Sequence, residues 1–127
     1  MASVGIVANP AAGKDIRRLV AQGRYIPDQE KVNVLRRVLA GLVASGVDSL
    51  LMMPDVVGLG RSAVDGADSA LDTRFLEMPV HNDDRDSARA AEMMGRMGVG
   101  CIVTLGGDGT NRAVAKGSAG VPLVAIS

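Results

Sequence analysis

The residue types best suited to chemistry lie together in one short segment, Gly106, Gly107, Asp108, Gly109 and Thr110. An apolar run of strand length precedes the segment, so the pattern predicts a strand, a tight turn and a helix start. Glycines can adopt positive φ and lack a Cβ, which lets an anion approach the amides at the positive end of the next helix. A carboxylate there would repel phosphate unless it binds Mg²⁺ or takes a proton from an attacking hydroxyl, and both roles belong to phosphoryl transfer. A plain Gly-Asp-Gly turn is the alternative that this pattern leaves open.

A second candidate phosphate-binding segment follows the first predicted strand. It begins with the turn signal Asn9-Pro10 and continues to Gly13 and Lys14. Gly13 and Lys14 suit contact with phosphate, although ordinary helix-start residues remain the alternative. The segment lacks the opening glycine and the closing hydroxyl residue of the P-loop pattern, which excludes a Walker-type nucleoside triphosphatase.

Other patterns that resemble sites have simpler explanations. Residues 58–63 fit the dinucleotide fingerprint GxGxxA, but Pro54-Asp55 separates them from a strand that is not the first, so we interpret them as a flexible loop. His81 is the sole histidine and has no second ligand at zinc spacing. The three aspartates of the segment 83–86 are interpreted as caps of a helix dipole rather than as a metal cluster.

These candidate residues must be positioned by strands and helices that alternate along the chain. Hydrophobic periodicity predicts strands at residues 4–8, 47–53, 72–80, 101–105 and 122–126, and helices at 16–20, 29–45, 86–97 and 111–116, with a weak helix at 61–68. The crossovers suit parallel neighbours, and the sequence carries no Asn-Gly hairpin signal. We therefore predict an α/β fold, a three-layer doubly wound sandwich with a mostly parallel sheet of about five strands. Ligands bind at the carboxyl ends of such strands, so residues 9–14 and 106–110 are expected to face one crevice.

Length and composition restrict the class of protein. The 127 residues suffice for one domain, and with 47% apolar but only 2% aromatic residues the core must be aliphatic, as in parallel sheets covered by helices. The formal net charge is zero, which gives no broad attraction for nucleic acid or membranes. Cys101 is the only cysteine, and no apolar run could span a bilayer or act as a signal peptide. We expect a soluble, cytoplasmic protein whose partners are small molecules.

The two loops together resemble those of the NAD kinase and diacylglycerol kinase superfamily. The resemblance is carried by Asn9-Pro10-x-Ala-Gly13 and by Gly106 to Thr110, in this order. Residues 30–42 and 52–55 are similar to the branch labelled ATP-NAD kinase, often called AcoX for its association with acetoin catabolism. The resemblance covers essentially the whole chain, but only the amino-terminal domain of such kinases, in which a β-rich carboxy-terminal domain completes the acceptor site.

The resemblance implies that residues 106–110 line a nucleotide phosphate site, where Asp108 deprotonates the acceptor hydroxyl or organises Mg²⁺, and that Asn9 and Gly13 belong to the other phosphate-side loop. It implies ATP and Mg²⁺ as cofactors and NAD as acceptor, with residues 1–127 a nucleotide-binding domain that is inactive without the carboxy-terminal domain. Asn111-Arg112 departs from the pattern of both NAD kinases and lipid kinases. A lipid or other small-molecule kinase domain therefore stays open. The association with acetoin catabolism leaves a non-catalytic nucleotide-sensing module open as well, and homo-oligomer formation also stays open.

Overall fold

The computed structural model describes residues 3–9, 28–55, 57–65, 71–118 and 120–126. In chain order these residues form β1 (Ser3–Ala8), α1 (Asp28–Ala44), β2 (Ser49–Met52), α2 (Leu59–Asp65), β3 (Asp72–Phe75), α3 (Asp84–Arg96), β4 (Cys101–Leu105), α4 (Asp108–Gly117) and β5 (Leu123–Ile126). The helix predicted at residues 16–20 lies outside the described residues. The other predicted elements are present, with the changes in length given below.

All five strands of the described chain form one sheet in the order β3-β2-β1-β4-β5, and every neighbouring pair is parallel. The central strand β1 is buried from Val4 to Ala8, as expected for a strand covered by helices on both faces. Because parallel strands run in one direction, their carboxyl ends lie at one edge of the sheet. The predicted α/β class with a parallel sheet is confirmed.

Two apolar clusters lie on opposite faces of this sheet. Ile6 packs in one cluster with Leu35 of α1 and residues of α2, whereas Val7 packs in the other with Met94 of α3 and Val114 of α4. Adjacent strand residues point to opposite faces, which is why neighbouring residues of β1 enter different clusters. The three layers are therefore α1 and α2, the sheet, and α3 and α4. No helix in the described part of the chain is long and apolar enough to cross a bilayer.

The boundaries of α2, β3 and α4 differ most from the predictions. The segment 58–63, predicted to be a loop, is mostly helical because α2 begins at Leu59. Asp55 Oδ2 accepts hydrogen bonds from the amides of Val57, Gly58 and Leu59 at 3.1, 2.8 and 3.0 Å, which satisfies amides that the first turn of a helix leaves unpaired. The strand β3 ends at Phe75 rather than at residue 80, because its pairing with β2 ends at Met52. The helix α4 begins at Asp108 rather than at residue 111.

Helices α3 and α4 pack closely because small residues face each other between them. A Cβ added to Gly117 of α4 would lie 2.5 Å from the carbonyl oxygen of Ala88 and 3.1 Å from the amide nitrogen of Glu92, both in α3. A Cβ on Gly95 would lie 3.2 Å from the carbonyl oxygen of Ser118. Close backbone approach thus requires glycine at position 117 and leaves little room for a side chain at position 95. The two helices lie side by side with their amino termini toward the same edge of the sheet.

Candidate functional site

The carboxyl ends of β1 and β4 are direct neighbours. Ala8 pairs with Leu105 in parallel register, so Asn9 and Gly106 are the first residues to leave the sheet at adjacent points of its edge. The predicted adjacency of the two loops is confirmed at these residues. Gly13 and Lys14, the other predicted phosphate contacts of the first loop, lie outside the described residues.

Asn9 connects the end of β1 to the first turn of α3. The side chain is buried, and its Nδ2 donates to the carbonyl oxygen of Asp83 at 3.0 Å and to Ser87 Oγ at 3.2 Å. These bonds join residues 74 and 78 positions apart in the chain. The side-chain amide of Asn9 therefore fixes where α3 begins relative to the loop that follows β1.

The aspartates at the start of α3 cap the helix, as predicted. Asp83 is the N-cap residue, and its Oδ1 accepts from the amide of Arg85 at 2.9 Å. Asp86 is buried and reaches back, accepting from the amides of His81 at 2.8 Å and Asn82 at 2.7 Å. Such reciprocal bonds satisfy amides that have no partner within the helix. Among the described residues, no group of three or more His, Cys, Asp or Glu side chains is placed to hold a metal ion.

The N-cap residue of α3, Asp83, also forms an exposed ion pair with Arg85. Arg85 Nη2 lies 2.8 Å from Asp83 Oδ2, and the hydrogen bonds from the Arg85 side chain and then from its backbone amide lower the pKa of the Asp83 carboxyl. The same pairing raises the pKa of the Arg85 guanidinium. Both groups keep their charges at neutral pH, and the negative charge lies at the positive end of α3.

The glycine segment after β4 forms the start of α4. Gly107 is the N-cap residue with φ −96° and ψ −162°, so its backbone conformation does not use the freedom to adopt positive φ and does not require glycine. The useful property of Gly107 is the missing side chain, because an added Cβ would meet no described atom within 4 Å. A Cβ on Gly109 would meet only Asp84 Oδ2, at 3.8 Å, among the described atoms. Both glycines are exposed, so the described residues do not cover their backbone at the amino terminus of α4.

The residues between and after these glycines occupy the first helical positions. Asp108 is the first residue of α4, and its side chain lies outside the described part of the structure. Thr110 is buried at 2% exposure, whereas Gly107 and Gly109 are exposed. The amide of Asn111 makes the first intrahelical bond, to the carbonyl oxygen of Gly107 at 3.1 Å. The amides of residues 108–110 precede it and have no acceptor within the helix.

One hydrogen bond at this site was not predicted. Thr104 of β4 is fully buried, and its Oγ1 donates to Asn111 Oδ1 on the first turn of α4 at 2.6 Å. The signal in the sequence is a hydroxyl residue inside an otherwise apolar run, followed seven residues later by an amide side chain beyond a glycine turn. Such a pattern becomes meaningful only once the strand, turn and helix are known.

The amino-acid sequence matches the family described as the ATP-NAD kinase N-terminal domain over residues 4–127. The chain belongs to this family. Its five parallel strands with helices on both faces agree with the fold that the family resemblance implies. The chain is also similar to acetoin catabolism protein X of Cupriavidus necator, with 41% identity over 133 residues. That alignment covers 98% of this chain and 36% of the relative, so the chain spans little more than a third of that protein. No solved structure matches the domain significantly.

Proposed function

We propose that this ATP-NAD kinase domain binds the phosphates of ATP at the amino terminus of α4, and that the complete protein transfers the γ-phosphoryl group to the 2′-hydroxyl of NAD. The observation that carries the proposal is the start of α4, where Gly107 and Gly109 are exposed and present backbone without side chains. This start lies where β4 ends, beside the end of β1.

The physical support comes from the amides of residues 108–110. They point out of the first turn of α4 without intrahelical acceptors, and the helix dipole adds positive potential at the same place. Together these features favour a phosphate group. The formal net charge of the chain is zero, so attraction for a triphosphate has to come from such a local arrangement.

Asp108 is proposed as the catalytic carboxylate at this helix start. In the reaction the acceptor oxygen forms a bond to the γ-phosphorus, the bond from that phosphorus to the bridging oxygen breaks to release ADP, and Asp108 takes the hydroxyl proton. A bound Mg²⁺ would neutralise charge on the phosphate oxygens. Mg²⁺ is usually bound through one or two carboxylates together with substrate phosphates and water, and Asp108 is the carboxylate proposed for that role.

The acceptor site is proposed to lie mainly in a carboxy-terminal domain. This chain spans 36% of acetoin catabolism protein X, and positioning both substrates accounts for most of phosphoryl-transfer catalysis. We therefore expect residues 1–127 alone to bind nucleotide weakly and to turn over no substrate. Asn9 and Gly13, with Lys14, are proposed to belong to the side of the site formed by the loop after β1.

A second candidate is a nucleotide-sensing module without catalysis. It is favoured by the name of the relative, which refers to acetoin catabolism and to no kinase activity. In this case the exposed glycines at the start of α4 would still bind phosphate, and binding would change how the complete protein acts on a partner.

The decisive experiment compares the complete protein with the 127-residue chain. Both are titrated with ATP and Mg²⁺ by calorimetry and then assayed for NADP formation. We expect NADP only from the complete protein. Robust NADP formation by the short chain would contradict the proposal that the acceptor site lies mainly in a carboxy-terminal domain. Phosphoryl transfer to a lipid or another hydroxyl compound, but not to NAD, would show that NAD is not the acceptor. Saturable nucleotide binding without any transfer would support the sensing module.

A further inference from the structure

We infer that Thr104 is a positioning residue for the nucleotide site, acting through Asn111 to hold the first turn of α4 in place. The inference rests on the proposed function, because the turn it holds is the one proposed to bind phosphate. Thr104 itself is fully buried, so its proposed role is indirect. Its role follows from what its hydroxyl is bonded to.

The location of Thr104 makes its hydroxyl unusual. β4 is an interior strand, and Thr104 lies between Val7 of β1 and Ala125 of β5 in the register of the sheet. On the same face of β4, Ile102 belongs to the apolar cluster beneath α3 and α4. A hydroxyl buried there is costly unless it is hydrogen-bonded, and the bond to Asn111 Oδ1 at 2.6 Å satisfies it. Valine would fill the same volume without that requirement.

The hydrogen bond between Thr104 and Asn111 restrains the flexible glycine loop between β4 and α4. Only Gly106 and Gly107 separate β4 from α4, and glycine backbones have the greatest conformational freedom. The strand side of the loop is held by the amide of Gly106, which donates to the carbonyl oxygen of Ile126 at 3.2 Å. The helix side is held at Asn111, whose amide bonds Gly107 and whose side chain accepts from Thr104. Thr104 therefore sets the direction in which the amides of residues 108–110 point.

A preset direction matters for binding an anion. Amides that already converge on one point lose little conformational freedom when phosphate binds, whereas a loose turn must be ordered at that moment. Removing the Thr104 hydroxyl should therefore weaken nucleotide binding more than it weakens the fold. A purely structural hydroxyl would affect only the fold.

The test uses the complete protein and MgATP as the probe. We expect Thr104→Val to raise the dissociation constant of MgATP about three- to tenfold, the range typical for loss of one internal hydrogen bond. Thr104→Ser keeps the hydroxyl and should restore binding to within about twofold of the wild type. Ile102→Val is the matched control, since it removes buried volume from the same face of the same strand and leaves the hydrogen bond intact. It should change the free energy of unfolding but not the dissociation constant.

A second pair of variants keeps the inference testable if Thr104→Val folds poorly. Asn111→Ala removes the acceptor from the first turn of α4, and Thr104→Val combined with Asn111→Ala should bind MgATP no more weakly than the weaker single variant. Amide hydrogen exchange at residues 106–111 of the ligand-free protein should accelerate in both single variants and not in Ile102→Val.

The outcomes separate the two proposals. Absence of saturable MgATP binding by the wild type would overturn the proposed function, and the positioning role with it. Binding by the wild type, with Thr104→Val unchanged or with Ile102→Val equally impaired, would overturn the positioning role alone. A double variant that binds much more weakly than either single variant would also overturn it, because the two residues would then act separately.

Discussion

Ala8 and Leu105 lie opposite each other in parallel register, so the chain leaves β1 and β4 at adjacent points on one edge of the sheet. The first turn of α3 is held to the same edge by Asn9, and the first turn of α4 follows Leu105 after two glycines. Two helix amino termini thus lie side by side, with Asp84 of α3 near the backbone of Gly109 in α4. The dipole of α4 contributes positive potential at this edge, whereas Asp83, Asp84 and Asp86 place negative charge at the start of α3.

The proposed catalytic role of Asp108 predicts a large effect on turnover. In the complete protein, Asp108→Asn should lower kcat at least about 100-fold, the usual contribution of a general base. The free energy of unfolding should change by less than about 1 kcal/mol, because the residue is a single charge at a helix start.

Asp84→Asn is the control for this substitution, since Asp84 is the first residue of the neighbouring helix α3. It removes a carboxylate at the same helical position, and kcat should fall less than about fivefold. Steady-state assays of NADP formation measure both variants. Near-normal kcat in Asp108→Asn would remove the residue from the mechanism.

The buried amide of Asn9 predicts a loss of stability when it is removed. Asn9→Ala deprives the Asp83 carbonyl and Ser87 Oγ of a buried donor, and should lower the free energy of unfolding by about 1–3 kcal/mol. Ser87→Ala leaves the bond to Asp83 in place and should cost only about 1 kcal/mol. Urea denaturation followed by circular dichroism measures both values. Equal losses would show that the link to the Asp83 carbonyl contributes little.

The contact between α3 and α4 predicts opposite effects for two helical glycines. Gly117→Ala places a Cβ against the backbone of Ala88 and Glu92 and should destabilise the protein by about 1–3 kcal/mol. Gly41→Ala, on the exposed face of α1 where no described atom lies within 4 Å, should stabilise it by up to about 1 kcal/mol. Thermal unfolding of the two variants provides the comparison. A stabilising effect of Gly117→Ala would contradict this prediction, because it would show that α3 and α4 can move apart without loss of folding free energy.

The ion pair at the start of α3 predicts a pH dependence. Pairing with Arg85 lowers the pKa of Asp83 below its ordinary value of 3.8, so the ionised carboxylate favours the folded state. The stabilisation is fully present above pH 3.8 and is lost as the pH falls through the lowered pKa of the folded protein. Both side chains are exposed, so the effect should weaken with added salt.

An NMR titration of the Asp83 carboxyl group measures this pKa directly. Arg85→Gln should raise it toward 3.8, since the Arg85 side chain is the largest cause of the shift. Arg89→Gln is the matched control, because Arg89 pairs with Glu92 at 3.2 Å. If the pKa of Asp83 is unchanged in Arg85→Gln, the ion pair does not cause the shift, and the amino terminus of α3 would be the remaining explanation.

The sequence alone predicts the features that depend on local patterns. The alternation of apolar strands with amphipathic segments indicates the parallel α/β fold, because strands buried on both faces and helices buried on one face carry different periodicities. The caps at Asp83 and Asp86 were predictable for the same reason, since a cap depends on residues within a few positions of the helix start. The start of α4 at Asp108 was missed because Gly107 caps it with no side-chain hydrogen bond.

The tertiary structure decided which distant residues meet. The order β3-β2-β1-β4-β5 places β4 beside β1, and only that order brings Asn9 to Asp83 and makes the two loops neighbours. The bond between Thr104 and Asn111 likewise requires α4 to fold back over its own strand. Hydrophobic periodicity predicts which face of an element is buried, but not which partner buries it, because many partners satisfy the same apolar surface. Hydrogen bonds between buried side chains are directional and therefore depend on the packed arrangement.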